Sequence, residues 1–531
     1  MKTYVFFIGG TGARVLRSLT MLLASGVEIS NENTIVPIII DYDAQNGDLS
    51  ISNELMHNYC ELHKIGKYEN NDKGFFGAKI ENSKNFQLVN VQMEDGRETF
   101  AKFINYRSLD NEDKLLLQAL YNDAHVNDDN KDDNENRGNN LEAKRQDALT
   151  ELFLDLSVGF QGNPNIGTVV FSDYFQNSTY GYKNFVNDFN EGDRVFIVGS
   201  IFGGTGSSGF PQLVKKFREK GSGVSAGNST ALANAPIGGC LVLPYFSVKP
   251  KDDSSIDSMT FNSKAKAALT YYNAEIKKMM DEIYYVGCKK TNEAYENIKG
   301  GADQKNDAHL VELISAMSIV EFANREKFPN HESDKEALTY EFRANSGLDS
   351  NGDLKQESFL DLFGTTQGNT IGSNSIYSKY IYHLNSFAFF AKYCQDYTFN
   401  TTTKGLFSKT IVSVDNSEAY YQYLGKYINS ETDFGKKLNG FQIQFKEWTD
   451  QLAKNRQLKF NPYDFGGDKL ETLLNVDNTL TKISKNPAKI MRATLQNELT
   501  PYKGTDIDGG KIFLRIGTKA GNAAADIINN N

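Results

Sequence analysis

Two short glycine clusters carry the chemistry that this chain can be read for. Gly9-Gly10-Thr11-Gly12 follows a β-branched and aromatic run, and Gly203-Gly204-Thr205-Gly206-Ser207-Ser208-Gly209 follows another. Glycine between a strand and a helix lets successive backbone N–H groups turn toward one point, and the helix N-terminus adds partial positive charge, so an anion belongs there. Two such turns at the carboxyl ends of neighbouring parallel strands would face one phosphate chain. Neither cluster matches the commoner phosphate motifs. Val15 stands where the dinucleotide fingerprint has its third glycine, and the second cluster lacks the lysine of a Walker loop.

The elements that must hold these turns follow from periodicity. Lys2 to Ile8 reads as a strand, and Ala13 to Ala24 as a helix with Val15, Leu16, Leu19, Leu22 and Leu23 at helical spacing. Ile35 to Ile40 is a nearly unbroken apolar run, as expected of a parallel strand buried on both faces, and it ends in Asp41-Tyr42-Asp43. Arg194 to Gly199 supplies the strand before the second cluster, Pro211 to Lys220 the helix after it, and Gly221 to Ala235 a connection. Gly239 to Leu243 and Glu282 to Val286 read as further strands, with a helix over Lys264 to Met280 between them. Strands alternating with helices give an α/β fold with a largely parallel sheet. Ala308 to Phe322 is apolar around most of its circumference, as a helix buried between domains would be, and helices follow near Tyr380 to Asp396 and Asp433 to Leu458. From about Leu49 to Glu151 the pattern loosens into an insertion with a helical stretch around Asp113 to Tyr121. Its polar run Asn127 to Asn140 reads as a mobile loop, having too little apolar surface to offset its ordering entropy.

Composition narrows the function classes. At 531 residues the chain exceeds what one core organises, so two or three domains are expected. A formal net charge of -10 with no dense basic run argues against nucleic acid or an anionic membrane as partner. The apolar opening is interrupted by Gly9 before any cleavage pattern, and no stretch reaches the length of a membrane span, so a cytoplasmic location is expected. Cys60, Cys240, Cys288 and Cys394 are widely spaced and read as free thiols, and the scattered histidines suggest no metal site.

Family resemblance rests on four ordered segments. Ile201-Phe202-Gly203-Gly204-Thr205-Gly206-Ser207-Ser208-Gly209-Phe210-Pro211 is similar to the signature loop of the tubulin/FtsZ superfamily, with Phe202 and Ser208 where that family has glycine. Ile8 to Gly12 resembles its first loop, Asp41-Tyr42-Asp43-Ala44-Gln45 the segment after its second strand, and Gly159-Phe160-Gln161-Gly162-Asn163-Pro164 its third loop. The resemblance implies a bacterial tubulin-like protein. It implies a Rossmann-like GTP-binding domain over 1–302 with an insertion at about 50–150, a central connecting helix over 303–325, and an α+β C-terminal domain with a helical extension over 326–531.

The same resemblance implies GTP or GDP with Mg²⁺ as cofactors. By position, Gly9, Gly10, Thr11 and Gly12 would approach the α- and β-phosphates, with Gly203, Gly204, Thr205, Gly206 and Ser207 on the same chain. Gly162 and Asn163 would sense the γ-phosphate, Asp43 and Gln45 would lie near it or its magnesium, and Pro244 to Phe246 would lie near the ribose. Asp307 would read guanine, whose N1–H and N2–H₂ donate to one carboxylate together, although Asp307 suits a helix N-cap equally. Asp303 stands near the place of the usual base-stacking aromatic. Glu332 and Asp334 occupy the distance from Asp307 at which family members carry the acids that complete hydrolysis on the next subunit. Three readings follow: a GTPase assembling head to tail, with a further protein partner for the C-terminal region; a non-polymerising nucleotide-binding switch or scaffold; and a Rossmann-type NAD enzyme with Asp41 as the ribose carboxylate.

Overall fold

The computed structural model describes residues 1–30, 33–43, 45–68, 73–81, 88–89, 99–121, 154–176, 180–219, 226–249, 258–288, 294–296, 298, 300–328, 337–344, 376–398, 432–454, 462–467, 470–474, 486–499 and 509–529. Apart from a two-stranded parallel sheet that pairs Ser247–Val248 with Ala294–Tyr295, the strands are β1 (Lys2–Ile8), β2 (Thr34–Asp41), β3 (Leu88–Val89), β4 (Arg194–Ser200), β5 (Ile237–Val242), β6 (Glu282–Cys288) and β7 (Leu338–Ala344). They form one sheet in the order β3-β2-β1-β4-β5-β6-β7, every pair parallel. The α/β expectation is met, with the strand order of a doubly wound fold. Pro37 inside β2 costs no ladder bond. Ile35 N bonds outward to Lys79 O, and Pro37, two residues on, turns the same way into the gap before β3.

Strand parity sorts the core into two layers. Val5, Phe7, Ile35, Ile39, Phe196 and Val198 face one set of helices, and Tyr4, Phe6, Ile8, Ile38, Val195 and Ile197 the other. The first set comprises α1 (Gly9–Ala24), α2 (Gly47–Gly66) and, later in the chain, Leu310–Ala323; the second includes α3 (Pro164–Gln176), α4 (Gly204–Arg218), α5 (Ser258–Tyr271) and the shorter helices Tyr180–Asp188 and Ala226–Asn234.

Several boundaries move. Both glycine clusters are first turns of helices rather than loops, because α1 begins at Gly9 and α4 at Gly204. Gly221 to Ala235 is not a plain connection, since Ala226–Asn234 is helical, and α5 passes into a π turn over Tyr272–Ile276 and a 3₁₀ turn over Lys277–Met279. The span read as loosening from Leu49 opens with α2, which buries Leu49, Leu55, Met56, Tyr59 and Leu62. Asn127 to Asn140 lies outside the described residues.

The apolar helix expected at 308–322 is α6 (Leu310–Ala323). It connects β6 to β7 within the same sheet. Every residue of it except Glu321 is buried: Phe322 meets Phe196 of β4 at 5.1 Å on one side, while the part-exposed Glu321 accepts from Tyr380 on the other. Beyond β7 the described residues form α7 (Ile376–Thr398), α8 (Asp433–Lys454), α9 (Pro487–Leu499) and α10 (Gly509–Asn529), apart from short turns. The described part of the C-terminal region adds β7 to the main sheet and packs helices on α1, α2 and α6. The sole tryptophan, Trp448 of α8, donates through Nε1 to Ser18 Oγ of α1 at 3.3 Å. Among the described residues no helix is long and apolar enough to cross a membrane.

Candidate functional site

β1 and β4 are neighbours, yet β1 leads outward to β2 and β4 leads the other way to β5. A sheet whose strand order reverses in this way opens a crevice at the carboxyl ends of the two strands. The turns that leave β1 and β4 line one cleft there: Gly9, Gly10 and Thr11 from one, Gly203, Gly204, Thr205 and Gly206 from the other. Gly9 takes a φ of +71°, which side chains rarely adopt, and a Cβ added to it would lie 3.3 Å from Thr205 Cβ. Gly12 lies beneath the cleft, where a Cβ would stand 2.6 Å from the Phe7 carbonyl carbon, so glycine here lets α1 start close against β1.

Helices α1 and α4 both begin without a side-chain cap. Their first N–H groups lack the partners a capping Ser, Thr, Asp or Asn would supply, and each terminus carries about half a positive charge. A third helix begins alongside. The turn before α3 has positive φ at Gly159, Gln161 and Gly162, and Gly159, Gln161 and Gly162 line the cleft. A Cβ on Gly204 would come within 3.1 Å of the Gly162 and Asn163 nitrogens, so the two turns meet where only glycine fits. Asn163 Nδ2 is buried with no hydrogen-bond partner among the described atoms, and Lys264 Nζ donates to Gly162 O at 2.7 Å.

Carboxylates close the β2 side. Asp43 accepts from Gly301 N at 2.6 Å and from Gln45 N at 3.1 Å, which ties the end of β2 to the turn before α6. Asp41 also lines the cleft, and burial pushes its carboxyl up to about 7 against the lowering effect of the Asp43 N–H, from which it accepts a hydrogen bond. Behind them Arg14, 4% exposed, donates to Asp48 Oδ2 at 2.7 Å, Glu312 Oε1 at 2.5 Å and Tyr245 Oη at 2.8 Å. Burial opposes the Arg14 charge, but Tyr245, Glu312 and Asp48 outweigh it and hold the guanidinium above its ordinary range. His309, at the start of α6, is held neutral at about 3 by burial and by Arg14 nearby. Phe202, Phe246 and Phe261 form an aromatic wall on the remaining side, with Phe202 5.4 Å from Phe246 and 5.1 Å from Phe261.

Of the residues singled out by sequence, Gly9, Gly10, Thr11, Asp43, Gly162, Gly203, Gly204, Thr205 and Gly206 line this cleft together. Gly12 and Asn163 are buried at its base, and Ser207 turns its hydroxyl back to Gly203 O. Gln45 is exposed and Asp307 half-buried, both outside the lining; Gln304 and Asn306, in the segment before α6, line the cleft instead. Glu332 and Asp334 lie outside the described residues. Sequence reading missed Arg14, Asn46, Gln304, Asn306 and Phe261; it named Asp41 in the segment after β2 and as the ribose carboxylate of an NAD enzyme, and of the expected Pro244 to Phe246 segment Phe246 lines the cleft. A signal existed for Arg14, a charge one helical turn after Gly10 and beside the apolar Val15 and Leu16.

The donor set fits an anionic chain. Three helix starts converge on it, glycines admit it without side-chain clash, and Asp41 and Asp43 could share a divalent cation that accompanies it. The cleft has a volume of about 150 Å³. No protein-family model and no curated protein matches this chain.

Proposed function

We propose that this protein binds a nucleoside triphosphate in the manner of the tubulin/FtsZ superfamily, with GTP as ligand and Mg²⁺ as companion, and that it is a GTPase assembling head to tail. One observation carries the reading: backbone turns at residues 9–11, 43, 159–162 and 203–206, far apart in sequence, line a single cleft at the switch point of the sheet. Uncapped α1 and α4 would hold the phosphates, the turn before α3 would meet the terminal one, and Asp41 and Asp43 would hold the cation. Gln304 and Asn306 supply the polar groups nearest a base. A bound Mg²⁺ would neutralise charge on the phosphates.

Binding of a fluorescent GTP analogue tests the site, with ATP and NAD as competing arms. Thr205→Glu would place a carboxylate against the phosphates, and like charges about 4 Å apart repel by about 4 kcal/mol near a protein surface, so affinity should fall about a thousandfold. Retained affinity would refute the placement, and preference for NAD would establish a Rossmann-type enzyme. Assembly is tested by sedimentation and phosphate release across protein concentrations. Heterologous contacts that do not close give filaments, and turnover completed between subunits rises steeply with concentration.

A second reading, a nucleotide-dependent switch that does not polymerise, is favoured by the way α8 and α10 share one core with α1 and α2. Ala308 N, just before α6, donates to Gln451 Oε1 of α8 at 3.1 Å, so the cleft side and the C-terminal helices are joined by a direct bond. Monodisperse protein in saturating GTP, with tight binding and no turnover, selects it.

A further inference from the structure

The turn before α3 is held by a side chain from outside the cleft. α5 runs past the aromatic wall, where the Phe261 ring lies 5.1 Å from Phe202 and 6.1 Å from Phe246. Residues three apart share one face of a helix, so a helix seated by Phe261 presents Lys264 on the same side. The far end of α5 is fixed as well, because Tyr272, next in the chain, donates through Oη to Ser207 O of α4 at 2.7 Å. Between these anchors Lys264 Nζ donates to Gly162 O at 2.7 Å, across 102 residues of sequence. Gly162 lines the cleft and Lys264 does not.

That bond falls on a turn that its own residues do little to stabilise. Gln161 takes a φ of +44°, which a residue with a side chain adopts at a cost, and Gly159 and Gly162 have φ of +81° and +82°. A peptide beside glycine rotates readily, and a carbonyl oxygen turned into the cleft would repel an anion. The ammonium fixes the Gly162 carbonyl. Because the peptide is planar and trans, it also fixes the Asn163 N–H on the opposite edge, which donates to Phe160 O at 2.8 Å.

The same turn holds a donor in want of an acceptor. Asn163 is 7% exposed, and its Nδ2 has no partner among the described atoms. A buried donor left in that state is costly, and a phosphate oxygen would satisfy it. We propose that Lys264 is a positioning residue that gives this cleft a preference for a nucleoside triphosphate over the diphosphate. By fixing the Gly162 carbonyl it sets Asn163 and the turn before α3 to receive the terminal phosphate. This rests on the nucleotide reading of the cleft, in which only that phosphate reaches the turn.

Calorimetric titration of the full chain with a non-hydrolysable GTP analogue and with GDP tests it. The parent should bind both. Lys264→Met should bind the analogue about tenfold more weakly while its affinity for GDP stays within about twofold, and Lys264→Arg should keep most of the parent's affinity for the analogue. Lys266→Met, which removes an exposed lysine of the same helix, should leave both affinities unchanged. Lys264→Met and Asn163→Ala together should cost less than the sum of the two alone, because both act through one turn. Should Lys264→Met prove unstable, Lys264→Gln carries the same comparison. Equal losses for the two nucleotides, no rescue by arginine, the same loss in Lys266→Met, or additivity would overturn the proposal and leave the nucleotide site standing. A parent that binds neither nucleotide would sink both.

Discussion

Arg14→Met removes a cation that touches two buried carboxylates, and the structure sets the size of the effect. The Asp48 and Glu312 side chains are fully buried, and Arg14 bonds them at 2.7 and 2.5 Å. Deleting one member of a buried ion pair costs about 3–5 kcal/mol, because the other charge is left in a dry site. Here two are left. Asp48 keeps the Asn306 N and Nδ2 donors, and Glu312 keeps Tyr245 Oη and His309 N, so their hydrogen bonds survive while their charges lose compensation. At about 2 °C per kcal/mol, the coefficient for larger cores, the thermal midpoint should drop by at least about 6–10 °C. Melting curves and urea midpoints measure the loss. Arg14→Met/Glu312→Gln, with one stranded charge removed, should be more stable than Arg14→Met alone. A loss under about 1 kcal/mol, the size of an exposed ion pair, or a double variant worse than the single would refute the buried triad.

Three further outcomes follow from the same packing. Asp41 binds its proton more tightly folded than unfolded, since burial raises it from 3.8 to about 7. Stability is therefore present below the unfolded value and is lost as pH rises toward 7, by up to the order of 4 kcal/mol. Asp41→Asn should match the parent near pH 4 and exceed it near pH 8; parallel melting curves across that range would contradict the assignment. Gly204→Ala, whose Cβ would lie 2.9 Å from Phe160 Cβ, should cost about 1–3 kcal/mol, whereas Gly10→Ala, whose nearest atom is 3.5 Å away, should be neutral or stabilising by up to about 1 kcal/mol. Equal effects in chemical denaturation would count against the packing of the two turns. Trp448→Ala should cost about 3–5 kcal/mol, and in the parent the fluorescence of this single buried tryptophan should change together with far-UV circular dichroism. Two separate transitions would show that α8 does not share a core with α1.

What the sequence made legible, and what it hid, divides along the range of the interactions. β1 and the buried run of β2 announce themselves because a parallel strand covered on both faces must be apolar at every position, and glycine after each strand marks the turn to a helix. The four cleft segments could be picked out for the same reason, since each is a local backbone requirement. Helix starts were placed several residues late, because glycine has poor helix propensity and its inclusion in α1 and α4 is imposed by tertiary fit against Phe7 and Ser200. The Arg14 network was illegible because its partners come from 34, 231 and 298 residues away, and no local pattern says which of many acidic residues will meet a buried cation. Asp307 lies outside the cleft lining by one position: in the irregular segment before α6, Asn306 lines the cleft and donates through N and Nδ2 to Asp48, while Asp307 does not line it. Reading a cleft-lining residue from sequence therefore demands the path of an irregular segment, and that path is what long-range bonds such as Asn306 N–H to Asp48 decide.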